Sequence, residues 1–137
     1  MLEAALDHLA TIKSRSYEII IVDDGSKDAT VTLAISLAQK HSTSDIRVVK
    51  MDHNVGKGGA VRHGFLHARG KRLLMVDADG ASQFEDVELL WRAMDGIEKE
   101  GRAVVVGSRA HMVNTEAVVK ASIVMLPFFT IINTGWI

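Results

Sequence analysis

A chain of 137 residues with 47% hydrophobic content is long enough for one domain with a packed core, since domains most often hold roughly 100–150 residues. Its 16 basic and 17 acidic residues leave a formal net charge of -1, which gives no overall electrostatic reason to expect a nucleic-acid or membrane-surface partner. The absence of cysteine excludes disulfides, iron–sulfur ligation, thiolate zinc sites and a cysteine nucleophile.

The first nine residues have no basic stretch ahead of an apolar core, so they do not read as a secretory signal. Leu2, Ala5, Leu6, Leu9 and Ile12 recur instead at helical spacing. Residues 17–22 form a β-branched run that predicts a strand ending in Asp23-Asp24-Gly25-Ser26. Val31, Ala34, Ile35 and Ala38 predict a second helix behind an Asp28 or Ser26 cap, and residues 46–51 a second strand. The loop Asn54-Val55-Gly56-Lys57-Gly58-Gly59 leads into a helix carrying Val61, Phe65, Leu66 and Ala68 and stopping at Gly70. A third strand is expected over 72–76 and a helix over 84–99, with Val87, Leu90, Trp91, Met94 and Ile97 on its apolar face. A fourth strand over 103–106 would end in Gly107-Ser108-Arg109. Strands separated by helices predict an α/β fold with a mostly parallel sheet flanked by helices.

The segment 117–137 has Lys120 as its only charge, and Pro127 interrupts its apolar run. A membrane-spanning helix needs about 20 mostly apolar residues. Residues 112–137 therefore read as an interfacial, partner-covered or poorly folded apolar tail behind a folded part over 1–111.

The most informative stretch is Met75-Val76-Asp77-Ala78-Asp79-Gly80. A strand that turns directly into Asp77 and Asp79 presents two hard oxygen donors at the carboxyl edge of the sheet, where open α/β sheets bind ligands. Mg²⁺ or Mn²⁺ is commonly held by one or two carboxylates, with substrate phosphates completing the coordination. The pattern thus predicts a metal-bound diphosphate. One Asp-Gly after a strand is ordinarily a turn, but three polar loops, starting at Asp23, Asp77 and Gly107, are expected at the same edge. The glycines of Gly56-Lys57-Gly58-Gly59 open a helix, so backbone amides, the helix dipole and Lys57 together suit a phosphate. Met51 and Gly58 break the Walker A pattern, and Val61 breaks the dinucleotide fingerprint. His63 and His67 lie four apart but flank Gly64 rather than the Glu of a metalloprotease, and read as solvated helix residues. No Gly-x-Ser-x-Gly elbow is present, and Ser108 has no base nearby in sequence. Arg62, Arg69, Lys71 and Arg72 suit either anion steering or a solvated basic face.

Taken in order, Val22-Asp23-Asp24-Gly25-Ser26-Lys27-Asp28-Ala29-Thr30, Asn54-Val55-Gly56-Lys57-Gly58-Gly59-Ala60-Val61-Arg62, Asp77-Ala78-Asp79-Gly80-Ala81 and Gly107-Ser108-Arg109-Ala110 closely resemble the dolichyl-phosphate β-glucosyltransferases. These are inverting family 2 glycosyltransferases, and the likeness covers residues 17–111. The resemblance implies a Rossmann-like nucleotide-diphospho-sugar transferase fold of the GT-A type. It also implies transfer of glucose from UDP-glucose to dolichyl phosphate for protein N-glycosylation, at the cytosolic face of the endoplasmic reticulum membrane. By the same resemblance Asp24 contacts the uracil in a pocket shaped by Asp23 and Gly25, and Lys57 and Gly58 lie near the nucleotide. Asp79, with Asp77, holds Mg²⁺ or Mn²⁺ on the diphosphate, and Arg109 contacts the acceptor phosphate.

The family's sheet begins with a central strand and a Pro-Ala-Tyr-Asn-Glu-like loop that do not precede Met1 here, and its amino-terminal anchor is likewise missing. The likeness also fades after His111. The expectation is a truncated or alternatively spliced form with a fold incomplete at both ends, a retained donor site, peripheral membrane contact and little or no turnover alone. Backbone groups beside the missing strand would stay unpaired unless neighbours close up. The alternatives are a GDP-mannose-using relative, a noncatalytic nucleotide-binding fragment that associates with a full-length enzyme, and, further off, an NAD-dependent oxidoreductase.

Overall fold

The structure is a computed structural model that describes residues 2–12, 16–41, 45–80 and 82–107, and the backbone of 128–134. The chain divides into two compact units, one formed by residues 1–82 with 125–137 and the other by 83–124.

The first unit is built on a four-stranded sheet in the order β2-β1-β4-β3. Strand β1 (Tyr17–Asp23) pairs in parallel with β2 (Ile46–Lys50). Strand β4 (Phe128–Thr134) runs antiparallel between β1 and β3 (Arg72–Asp77). Because β1 and β3 both oppose β4, they point the same way, and the three strands β1, β2 and β3 share the direction that alternation with helices demands. The unbroken apolar run of β1 is explained by its position: Ile19, Ile20, Ile21 and Val22 are all buried, so both of its faces are covered. Each such side chain contributes about 1.5–3 kcal/mol on burial.

Helix α1 (Leu2–Thr11) buries Ala5, Leu6 and Leu9, while Leu2 and Ile12, which share their spacing, are only partly covered. Helix α2 (Thr30–Lys40) packs on β2 and β1, and helix α3 (Gly56–His67) packs on β1 and β4. Ala60 and Gly64 are the buried positions of α3. Ala60 packs with Ile20 and Val22, and Val49, Met51, Val61, Phe65 and Ala68 lie around them. Neither Asp28 nor Ser26 takes the N-cap position expected of them: Ala29 holds it without a side-chain cap bond, and Asp28, two residues before the helix, accepts the Thr30 N–H through Oδ1 at 3.0 Å.

At the amino end of β1, Glu18 is buried and multiply paired. Its carboxylate accepts from Arg47 Nη2 at 2.7 Å, the Arg69 amide at 2.7 Å and Arg69 Nε at 3.0 Å. This cluster ties β1, β2 and the end of α3 together at the sheet edge opposite Asp23.

Two sequence expectations need correction. Residues 103–106 form no strand, and Val104 and Val106 are 81% and 79% exposed. β-branched composition favours a strand only where a sheet edge and a covered face receive it. The fourth strand comes instead from residues 128–134, inside the segment read as an apolar tail. It runs against its neighbours, while β1, β2 and β3, the strands that alternate with helices, keep the expected common direction. Its hydrogen bonds close the gap between β1 and β3 that an incomplete sheet would leave.

The second unit contains a short 3-10 turn (Phe84–Asp86) and helix α4 (Val87–Ile97), shorter at its carboxyl end than the expected 84–99. Phe84 and Val87 are buried, whereas Ile97 is half exposed. No described helix is long and apolar enough to cross a membrane.

Candidate functional site

The register of the sheet decides which loops meet. Asp23 lies opposite Phe128, and Asp77 shares Phe129 with Val22, so the carboxyl ends of β1 and β3 finish within one residue of each other on either side of β4. Two interstrand spacings separate them, roughly 10 Å. Lys50 pairs with Asp23 and brings the end of β2 to the same rim.

The β1 loop is held from within. Asp23 is fully buried, and its Oδ2 accepts the Ser26 N–H at 3.1 Å. Its Oδ1 has no partner among the described residues. Asp24 is also buried, and its Oδ1 accepts the Val55 N–H at 2.7 Å. Gly25 has φ +77, and a Cβ built there would lie 2.8 Å from both the Asn54 nitrogen and the His53 carbonyl carbon. Only glycine accepts that conformation with backbone packed so close. These contacts fix the 53–55 loop against the end of β1 and thereby place the start of α3.

The start of α3 is built by Asn54 and Gly56. The Asn54 carboxamide oxygen accepts the Gly56 N–H at 3.1 Å, and Gly56 has φ +80. The next amides in the first helical turn have no partner within the helix, so the positive end of α3 faces the rim loops. A Cβ on Gly58 would meet nothing within 4 Å, so open space lies beside this turn.

Lys57, on the same turn, reaches across to β3. Its Nζ lies 2.8 Å from both Asp77 Oδ1 and Oδ2. The pair is open to solvent, with side-chain exposures of 53% for Lys57 and 41% for Asp77. Asp79 follows in the exposed turn that Gly80 completes with φ +78.

The donor chemistry fits a hard divalent cation. A cationic ammonium already sits astride the two Asp77 oxygens, which shows the carboxylate turned toward a positive charge at the rim. Asp77 and Asp79 provide only oxygen ligands, as Mg²⁺ and Mn²⁺ prefer. Among the described residues no group of three or more His, Cys, Asp or Glu could enclose an ion. An ion held by this pair would take its other ligands from water or from a bound anion.

Of the residues singled out by sequence, Asp23, Asp24, Gly25, Lys57, Gly58, Asp77 and Asp79 all lie in the first unit at this rim. Arg109 and Ser108 fall outside the described residues, and the strand expected to deliver their loop does not form. Asp24 has a structural task that its sequence gives no sign of, because its partner is a backbone amide 31 positions away. Asn54, named in sequence only as part of the loop, acts as a local brace at the helix start, since Asn two positions before a helix-opening Gly is a readable turn signal.

The family profile described as "Glycosyl transferase family 2" matches residues 1–133. Three curated proteins named "Dolichyl-phosphate beta-glucosyltransferase" are similar to the chain. That of Dictyostelium discoideum is 48% identical over 123 residues, covering 87% of this chain and 38% of its own length. That of Saccharomyces cerevisiae is 47% identical over 134 residues, covering 90% and 40%. The Homo sapiens protein is 42% identical over 118 residues, covering 82% and 36%. The chain therefore spans about two fifths of the length of these relatives. No solved structure matches it at a significant level. With the profile extending over nearly the whole chain, through the rim loops and into β4, this protein belongs to glycosyl transferase family 2.

Proposed function

We propose that the chain forms the donor-binding part of an enzyme that transfers glucose from UDP-glucose to dolichyl phosphate, yielding dolichyl β-glucosyl phosphate for protein N-glycosylation. The observation that carries this reading is that β1 and β3 end within one residue of each other at Asp23 and Asp77, with the start of α3 joined to both strand ends. A nucleoside diphosphate can bridge such a rim, its base at the buried β1 loop and its pyrophosphate at the Lys57–Asp77 side. The names of the relatives support dolichyl phosphate as acceptor and glucose as the sugar.

Each residue has a physical task in this reading. Asp24 uses one oxygen to hold Val55 and offers the other to the uracil, with Asp23 and Gly25 fixing the loop. The open space at Gly58 lets a phosphate approach the α3 amides. Asp77 and Asp79 hold Mg²⁺ or Mn²⁺, which when bound supplies charge stabilisation for the departing nucleoside diphosphate. The acceptor is a phosphate monoester whose second pKa is near 6, so its oxygen is largely ionised at neutral pH and needs no protein base. Arg109 orients that acceptor phosphate through a bidentate contact. The work takes place at the cytosolic face of the endoplasmic reticulum, where the chain meets the membrane peripherally.

Calorimetric titration of UDP-glucose with and without Mn²⁺ tests the proposal. Metal-dependent binding, lost about tenfold or more in Asp79→Asn and outcompeted by UDP rather than GDP, is expected. Absence of any metal-dependent UDP binding by folded protein would refute it, and preference for GDP-mannose would move the assignment to the mannosyl relatives.

A further inference from the structure

We propose that Lys57 is an internal counter-ion that occupies Asp77 until the donor arrives and then transfers to the donor's pyrophosphate, so that divalent cation and nucleotide-sugar bind as a coupled pair. The inference rests on the rim being the donor site, as proposed above, and adds to it the order of events and the residue that enforces it.

The geometry is specific. The ammonium is equidistant from both carboxylate oxygens at 2.8 Å, the position a divalent ion held by Asp77 would itself claim. Two cations cannot share it without repulsion, so metal arriving alone must first displace Lys57. That displacement is easy to drive. Both side chains are about half exposed, and exposed ion pairs are worth no more than about a fivefold equilibrium factor. An incoming pyrophosphate changes the balance, because it gives the ammonium a doubly anionic partner beside the open space at Gly58. Lysine suits this exchange better than arginine: its compact charge on a flexible stem can swing between partners, whereas a guanidinium fork would remain clasped to the carboxylate.

The consequence is reciprocal coupling. Nucleotide removes the competitor for the metal, and metal neutralises the carboxylate that holds the lysine, so each raises the other's affinity by the same factor. Asp77 is thereby kept neutralised when no donor is present, which lowers the repulsion between Asp77 and Asp79 at the rim.

The test is Mn²⁺ binding, followed by electron paramagnetic resonance of the free ion, with and without UDP, for the wild type, Lys57→Met and Lys57→Gln. With UDP absent, both variants should bind Mn²⁺ about two- to fivefold more tightly than wild type. With Mn²⁺ saturating, both should bind UDP about tenfold more weakly. A residue that merely supports the fold would shift both affinities in one direction. Asp77→Asn should abolish the gain, so that it and Asp77→Asn combined with Lys57→Met bind Mn²⁺ alike. If the wild type shows Mn²⁺-dependent UDP binding but the two Lys57 variants bind Mn²⁺ alone no more tightly than it does, the counter-ion role is overturned while the donor site stands. If the folded wild type shows no Mn²⁺-dependent UDP binding, both fall together. Because Lys57 is exposed, neither variant is expected to unfold, and circular dichroism on the same samples verifies it.

Discussion

Replacing Gly25 by alanine strikes the joint on which the rim depends, and its cost can be worked from the geometry. At φ +77 a residue with a Cβ pays about 1–2 kcal/mol for the left-handed conformation. The added carbon would also sit 2.8 Å from two backbone atoms, the Asn54 nitrogen and the His53 carbonyl carbon, and 3.2 Å from the His53 Cα. Backbone cannot swing aside as a side chain can, so the 53–55 loop must move away from β1. The bond from the Val55 N–H to Asp24, 2.7 Å and charge-assisted, is then lost, at about 1.5–3 kcal/mol. The sum is about 2.5–5 kcal/mol, a large share of the roughly 5–15 kcal/mol that stabilises a domain. Urea unfolding followed by circular dichroism measures it, and UDP-glucose calorimetry on the fraction that remains folded should show weakened binding because α3 no longer starts in place. Asp24→Ala removes the same bond without the steric conflict and should cost only the bond's share, about 1.5–3 kcal/mol. A Gly25→Ala protein with wild-type midpoint and wild-type affinity would refute the idea that this turn positions the site.

Three further outcomes follow from single features. Glu18→Ala should destabilise the protein by about 2–4 kcal/mol, below the roughly 3–5 typical of a broken buried pair, because the Arg47 and Arg69 side chains are 33% and 45% exposed and can rehydrate; urea titration checks this, and nucleotide affinity of the folded protein should not change. Gly58→Ala should raise stability by about 0.5–1 kcal/mol, since alanine is the better helix former and its Cβ meets open space, yet it should weaken nucleotide binding if phosphate approaches there. The Asp28 carboxyl is held below its ordinary value of 3.8 by hydrogen bonds from the Thr30 hydroxyl and amide. A lowered folded pKa means that its help to α2 is complete above that ordinary value and fades as pH falls below it, so the difference in unfolding midpoint between wild type and Asp28→Ala should shrink on acidification from pH 6 to pH 3 and should not grow.

What could be read from the chain was local. The 19–22 run announces β1 because a strand covered on both faces is apolar at successive positions, and Asp-Gly after it announces a turn that truly needs glycine at Gly25. The start of α3 is legible in Asn54-Val55-Gly56 for the same reason. What escaped is set by partners distant in sequence. Phe128–Thr134 has no strict alternation, and its role follows from two neighbours, β1 and β3, that leave a slot only a strand can satisfy. The valines at 104 and 106 carry as strong a local strand signal but stand exposed, so intrinsic preference without a receiving edge made no strand. Glu18 with Arg69 is separated by 51 positions and Lys57 with Asp77 by 20, and no short motif encodes either pair.

The four rim carboxylates divide by burial, and the division assigns their tasks. Asp23 and Asp24 are buried and accept backbone N–H groups, so their charge is spent on holding a fixed loop and cannot be exchanged without moving the backbone. Asp77 is partly exposed and pairs with a mobile ammonium, and Asp79 stands in an exposed turn, so their partners can be replaced by ligand-borne charge at small cost. The donor site proposed above would use both kinds: a rigid half suited to recognising a base by shape and hydrogen bonds, and an exposed half whose charge partners can exchange for a pyrophosphate. The sheet delivers one half on β1 and the other on β3, and the antiparallel β4 between them sets their separation. Because β3 pairs in the sheet with β4 alone, loss of that pairing would detach the β3 half from the β1 half, and with it the nucleotide binding proposed here.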